Sequence, residues 1–302
     1  MKLPSNPFPH HPISWRAILV AALITSYIFP VKSLAQDGSF DSVPLSTAAK
    51  SHSNGQTQAN SAGQQDSPAA NPGRPTVSTP ATLTPVGYLQ FETGIMAAWR
   101  SPEFSSQTSF GVVTKFTASG RIQLLAATGP FVHSDTEPRN GTGDVDLGVQ
   151  GVVHQGEGSH PTLALSYFHR VLDGGTPDID FGSPTNSAVL LASADVKNFH
   201  YDTNYLLNEL VDDHNIRRAQ YGQTLSVSHS AGGKFGISGE IWHFTQPLLR
   251  SNAIGNLWAV NYNAKKNLVF DTAFNRGLTS TSTRWEFLAG FTYLLPRKIH
   301  LY

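Results

Sequence analysis

From residue 85 onward the chain changes character at every second position, over stretches of about ten residues or more. In 199–207, Phe199, Tyr201, Tyr205 and Leu207 alternate with His200, Asp202 and Asn204. In 285–293, Trp285, Phe287, Phe291 and Tyr293 alternate with Glu286, Leu288, Gly290 and Thr292. Leu89, Phe91, Ile95 and Trp99 likewise oppose Gln90, Glu92, Gly94 and Ala98. Successive side chains of a strand point to opposite faces, so this period predicts strands with two unlike sides. A helix would have grouped the aromatic residues three and four apart.

About twelve such segments follow one another: 87–99, 106–117, 120–129, 143–154, 160–171, 187–195, 198–210, 216–229, 234–245, 254–263, 266–276 and 284–295. Most reach the roughly 9–11 residues that a tilted strand needs to cross a bilayer. The inner strands of a soluble β-sandwich, which also alternate, are usually nearer five or six residues. The connections alternate too. Those at 119–120, 195–197, 231–233 and 264–266 are short, and those at 130–142, 172–185, 246–253 and 277–283 are longer. Short periplasmic turns and longer outer loops are the build of outer-membrane barrels. The predicted fold is therefore an all-β, antiparallel, up-and-down transmembrane barrel of about twelve strands over 85–302. An even number of strands puts both termini on the periplasmic side.

Composition agrees with that surface. Charged residues are 14% and aromatic residues 10%, with 21 acidic residues balancing 21 basic ones. The charge content is below that of an ordinary soluble domain, and no basic excess for nucleic acid is visible. The chain has no cysteine, which excludes disulfides, thiolate metal sites, a cysteine nucleophile and a lipoprotein anchor.

The first 35 residues read as an export signal. Lys2 and Arg16 supply positive charge, an apolar run extends from 17 to 29, and Ser33-Leu34-Ala35 provides small residues for cleavage after Ala35. The run is short for a hydrocarbon core of about 30 Å, and Pro30 ends it. An uncleaved anchor is the alternative. Residues 36–84 are dominated by Ser, Ala, Gln, Asn, Pro, Gly and Thr, with few aliphatic side chains to bury. Ordering them would cost more entropy than burial returns, so they read as a disordered linker.

The period assigns residues to faces. Glu92, Asp144, Asp146, Gln150, His200, Asp202, Asn204, Glu240, Asp271, Asn275 and Glu286 fall on the lumen side, with Lys115, Arg121 and His243 as basic companions. Such a lumen could be a water-filled passage, or an interior closed by ion pairs and hydrogen bonds. Twelve strands lie between the filled eight-stranded barrels and the open sixteen-stranded porins. Tyr88, Trp99, Tyr167, Tyr201, Tyr262, Trp285 and Tyr293 are candidates for interface girdles, because amphipathic rings favour the lipid–water boundary.

Several stretches together resemble a known family. The segments 85–94, 141–149 (with Gly143-Asp144-Val145-Asp146), 161–165 before Gly175-Thr176-Pro177, 198–204 and 268–273 are similar, in that order, to barrels catalogued as "putative MetA-pathway of phenol degradation" or as transporters. The resemblance spans about 85–295 and implies an outer-membrane β-barrel, linked to uptake of aromatic or other apolar compounds. It brings no catalytic residues. The chain departs from it at 295–302, where Pro296 and a basic tail follow the last strand, although Tyr302 still offers a terminal aromatic.

The remaining motifs point to less. His229 between Ser228 and Ser230, or His200 with Asp202, could be nominated for a hydrolase, but no Gly-x-Ser-x-Gly elbow is present. Asp212-Asp213-His214 could bind a divalent cation weakly, but reads first as a solvated outer loop. In Gly143-Asp144-Val145-Asp146 a calcium loop would need a turn and further oxygen ligands, and none follow. The sequence thus predicts a Gram-negative outer-membrane channel or transporter barrel rather than an enzyme. No cofactor or metal is expected, and the partners are membrane lipid, the barrel-insertion machinery and a small solute. A plugged barrel serving as a surface binding or structural protein is the alternative, and a hydrolase a more remote one.

Overall fold

The structure, a computed structural model, describes residues 68–175, 184–211 and 214–299. The expected signal peptide, residues 36–67 of the expected linker, Asp212, Asp213 and Tyr302 lie outside the described residues.

The strands are β1 (Leu89–Trp99), β2 (Ser106–Ser119), β3 (Ile122–Ser134), β4 (Asn140–Gly141), β5 (Val145–His154), β6 (Thr162–Leu172) and β7 (Asn186–Val196). They continue with β8 (Phe199–Val211), β9 (Arg217–Gly232), β10 (Phe235–Gln246), β11 (Ser251–Lys265), β12 (Leu268–Gly277) and β13 (Trp285–Leu294). The two-residue β4 pairs only with the far end of β3. The other twelve form one antiparallel ring, in which β1 pairs with both β2 and β13 and thereby closes the sheet. Closure leaves no edge, which matters in hydrocarbon because each unpaired backbone group there costs about several kcal/mol.

In a single closed sheet only inward side chains can be buried by protein. The burial rhythm therefore gives each strand its frame. Even residues point inward on β1, β5, β6, β8, β9, β10 and β13, and odd ones on β2, β7, β11 and β12. On β3 the frame flips: Gln123 and Leu125 are buried below a bulge, and Val132 and Ser134 above it. The extra residue lies in the Thr128-Gly129-Pro130 corner, where the bulge bends the strand and re-aims it.

Outward positions are apolar. Ile95, Leu124, Leu147, Leu165, Leu207, Tyr221, Ile241 and Phe287 are all exposed, and Trp258 is 65% exposed. So much bare apolar surface is expected of a barrel whose outer wall meets lipid chains.

The chain continues past β13. Leu295 N–H donates to Leu89 O and Ile299 N–H to Gly87 O, so 295–299 folds back beside the start of β1. Two sequence assignments are corrected. Arg121 is exposed in the β2–β3 turn, and His243 lies on the outer face of β10, because Glu240, Trp242 and Phe244 set its inward frame. His243 meets Gln223 and Asn252 on neighbouring strands instead.

Candidate functional site

Residues 68–84 carry the largest correction. They are the last part of the expected linker, yet they run through the barrel, bonded to strands around its circumference. Ala70 N–H donates to Lys266 O in the β11–β12 turn. Asn71 exchanges hydrogen bonds with the Gln90 amide, accepting at 2.7 Å and donating at 2.8 Å. Gly73 N–H donates to Glu92. The Arg74 guanidinium reaches Asp271 at 3.3 Å. Thr79 and Asn204 bond in both directions, at 2.7 and 2.9 Å. Ala81 N–H donates to Ser193 Oγ, and Gln150 Nε2 donates to the carbonyls of Pro80 and Ala81. Thr84 then bonds Gln123 and Thr117, just before β1 begins.

Glu240 is the firmest anchor. Its carboxylate accepts from Val77 N–H at 2.7 Å, Ser78 N–H at 2.6 Å and Ser78 Oγ at 2.5 Å. Hydrogen bonds to a charged acceptor are about twice as strong as neutral ones. Ser78 Oγ also lies 2.8 Å from Thr224 Oγ1. Around this point Val77 packs on Trp242, Phe244 and Ala253, with Leu206 alongside. The Glu240→Ala substitution removes an acceptor worth about 1.5–3 kcal/mol per charged bond in general. Amide-exchange protection at Val77 and Ser78 should then fall by at least about tenfold, the factor that corresponds to 1.4 kcal/mol. Unchanged protection would mean that the segment is held elsewhere.

Two ion pairs sit low in the lumen. Lys115 Nζ lies 2.6 Å from Glu92 Oε1, both side chains being almost fully buried. The same Glu92 oxygen accepts from Gln90 Nε2 and Gly73 N–H, so the pair is hydrogen-bonded as a buried charge must be. Arg74 lies in a trough made by Gly94 and Gly290, which face each other across β1 and β13. A Cβ at either glycine would run into the guanidinium.

All the expected lumen residues can now be placed. Glu92, Gln150, Asn204, Glu240 and Asp271 are buried and touch 68–84 or its ion pairs. Asn275 is buried and accepts from Trp242 Nε1 at 2.9 Å, and Glu286 is buried on β13. Asp144 holds the long-loop end: it pairs with Arg170 at 3.2 Å and accepts from Gly174 N–H at 2.8 Å. Asp146 lies opposite Arg170 in the β5–β6 register. At the short-turn end His200 bridges Asp195 (2.7 Å) and Asp202 (3.2 Å), and Ser193 Oγ donates to Asp202. Its two ring nitrogens are thus engaged by carboxylates and not by a serine, and His229 meets the carbonyl of Asn198 beside Phe199. Neither histidine stands beside a nucleophile in the manner that acyl transfer requires.

Of the expected girdle aromatics, Trp99 and Trp285 pair across β1 and β13 at the long-loop end. Tyr201, Tyr262 and Tyr293 lie near the short-turn end on outward positions, Tyr262 stacked near Phe235. Tyr167 is exposed at mid-strand, with its hydroxyl donating to Asn186. Tyr88 is a correction: it packs inward against Ala70, Val269 and Leu294, because it precedes β1 on the even, inward frame.

A closed twelve-stranded barrel with residues 68–84 drawn inside has counterparts among known folds. A solved outer membrane channel from Pseudomonas putida F1 aligns over 71% of this chain and 98% of its own, at 12% identity and a TM-score of 0.52. This chain has the fold of an outer-membrane β-barrel. The NanC porin aligns over 68% of this chain and 98% of its own at 10% identity (TM-score 0.49). The KdgM porin covers the same shares at 12% identity (TM-score 0.46). No protein-family model matches the chain, and no curated protein matches its sequence. The resemblance to the phenol-degradation barrels is thus carried by no family model, and the likeness at these identities is one of fold.

What composition hid was the role of the segment before β1. Its backbone is rich in proline, with Pro72, Pro75 and Pro80, so it has few local hydrogen bonds of its own. Its N–H and C=O groups are left for lumen side chains to satisfy.

Proposed function

We propose that the protein is an outer-membrane channel for small solutes, closed toward its short-turn end by its own residues 68–84. The observation that carries this reading is the engagement of that segment by side chains of β1, β3, β5, β7, β8, β9, β10 and β12. A segment held by many modest bonds to water-compatible groups can leave without unravelling the wall, since those groups rehydrate. The closed antiparallel ring and bare apolar outer wall support insertion in lipid, with assembly by the barrel-insertion machinery.

For the solute, the inner wall supports an apolar or aromatic class. Trp242, Phe244 and Leu257 are buried there among polar groups, where a purely hydrophilic pore has no use for them. The sequence resemblance to phenol-degradation barrels leads to the same class. The rival reading, a permanently plugged barrel that presents its outer loops to a partner, is favoured by the number of wall strands that those same hydrogen bonds engage.

Flux into proteoliposomes separates the two. The intact, heat-modifiable barrel should admit a small aromatic solute such as phenylacetate faster than protein-free vesicles do. Entry at the protein-free rate, with Glu240→Ala equally inert, would remove the channel reading and leave the plugged one.

A further inference from the structure

One patch outside the lumen is unused by that reading. At the long-loop end of β12 and β13, Arg276 and Arg284 both stack on the Trp285 indole, with guanidinium carbons 5.0 and 5.9 Å from the ring centroid. Arg276 and Trp285 occupy outward positions of their strands. Phe274 lies beside the same indole at 5.4 Å, and Trp99 faces Trp285 across the β1–β13 pair. Below them Ile95, Phe287 and Phe291 continue an exposed apolar column toward the middle of the barrel.

Among the described residues, no carboxylate lies within 4 Å of either guanidinium. Elsewhere Arg74, Arg139, Arg170 and Arg217 each have an acidic partner, while Arg100, Arg121, Arg250 and Arg297 have no carboxylate within 4 Å among the described residues, so what sets Arg276 and Arg284 apart is that two guanidinium groups share one indole. Two like charges drawn to one ring repel each other, and an anion between them relieves that repulsion. An indole face holds a cation but supplies no negative charge of its own. The position selects the anion. The cations cap an apolar column at the level where a tryptophan marks the lipid–water boundary, so the ligand must be anionic above and hydrocarbon below.

We infer that Arg276, Arg284 and Trp285 form a binding site for the phosphate-bearing headgroup of a lipid in the leaflet on the long-loop side. The lipid's acyl chains lie along Trp99, Ile95 and Phe287. Guanidinium groups suit this role because they grip phosphate oxygens in pairs. In the membrane proposed above, that leaflet is the outer one, so the site rests on the outer-membrane reading but not on conductance.

The test is a titration of the detergent-solubilised full-length protein with diphosphorylated lipid A, read by native mass spectrometry. Near an anionic membrane surface each arginine contributes about 1 kcal/mol, roughly fivefold, so the Arg276→Ala/Arg284→Ala variant should bind about thirtyfold more weakly. Lipid A stripped of its phosphates should bind the unaltered protein at that same low level, and Arg276→Lys/Arg284→Lys, which keeps the charge but loses the paired grip, should fall between the unaltered protein and the alanine variant. Equal affinity for the two forms of lipid A, or no loss in the alanine variant, would overturn the site. Displacement of the lipid by inorganic phosphate at matching concentration would overturn the lipid assignment in favour of a free-anion site. Heat-modifiable migration of the alanine variant checks its fold. Its ion current should equal that of the unaltered protein, so a barrel without flux would count against the channel alone.

Discussion

A chain lacking residues 68–83 should carry several times the ion current of the intact barrel in a planar bilayer. The deletion removes the backbone that crosses the lumen from Ala70 to Ala81, together with the Arg74 guanidinium over Gly94 and Gly290. It leaves the wall intact, because the strand pairs of the ring involve only residues from Leu89 onward. The groups left behind are Gln90, Glu92, Asp271, Asn204, Glu240 and Gln150, all able to bond water. Their burial would be intolerable without partners in a dry interior, but the departing segment admits the solvent that satisfies them. The Glu92–Lys115 ion pair loses the Gly73 N–H but keeps its partner and Gln90, since these sit on strands. The expected product is therefore a folded barrel with a wider passage, shown by heat-modifiable migration and larger single-channel steps. If the current stays at the level of the intact protein while the barrel still folds, the closure lies elsewhere and the plug assignment is lost.

The wall of this barrel was legible because a lipid-facing strand writes its geometry into every second residue. Phe199, Tyr205 and Leu207 are exposed and Asn204 is buried, as the alternation in 199–207 required. Asp144 and Asp146 belong to the same inward frame as Gln150. The frame failed where a local event resets it. The β3 bulge changes parity within one strand, and no residue type announces that as clearly as a period does. His243 falls on the outer face although its charge suggests the lumen, because the register of β10 turns Trp242 inward beside it.

The plug was illegible for a different reason. Thr76, Ser78, Thr79 and Thr84 are small polar residues that a linker also favours, and nothing local distinguishes them. The information lies in the partners, more than a hundred positions away in the case of Asn204 and Glu240. A segment folded by other residues' side chains carries little signal of its own. The sign available beforehand was in the wall: an interior with Glu92, Glu240 and Asp271 on separate strands holds more acceptors than its own bases can satisfy. That imbalance called for an inserted donor, which Arg74 and the backbone of 73–79 supply.

Closing the plug covalently should abolish opening and make it redox-dependent. Ser78 Oγ and Thr224 Oγ1 are 2.8 Å apart, one on the plug and the other on β9, and both residues are buried. A disulfide needs sulfurs about 2.05 Å apart, a small adjustment from that separation. The chain has no cysteine, so Ser78→Cys/Thr224→Cys can pair only with itself within a monomer. In the Glu240→Ala background the three bonds to Val77 and Ser78 are absent, and current should be high while the cysteines are reduced. Oxidation replaces those bonds with a covalent link at the same point of the plug and should return the current to the closed level. A reductant should then reopen it. The link holds against any excursion worth a few kcal/mol, because breaking it requires chemistry and not fluctuation. A pair shown to be oxidised that still opens like its reduced form would mean that passage does not require residues 77–79 to leave Glu240 and Thr224. The reversible outcome, by contrast, requires the gate to be the segment that was expected to be only a linker.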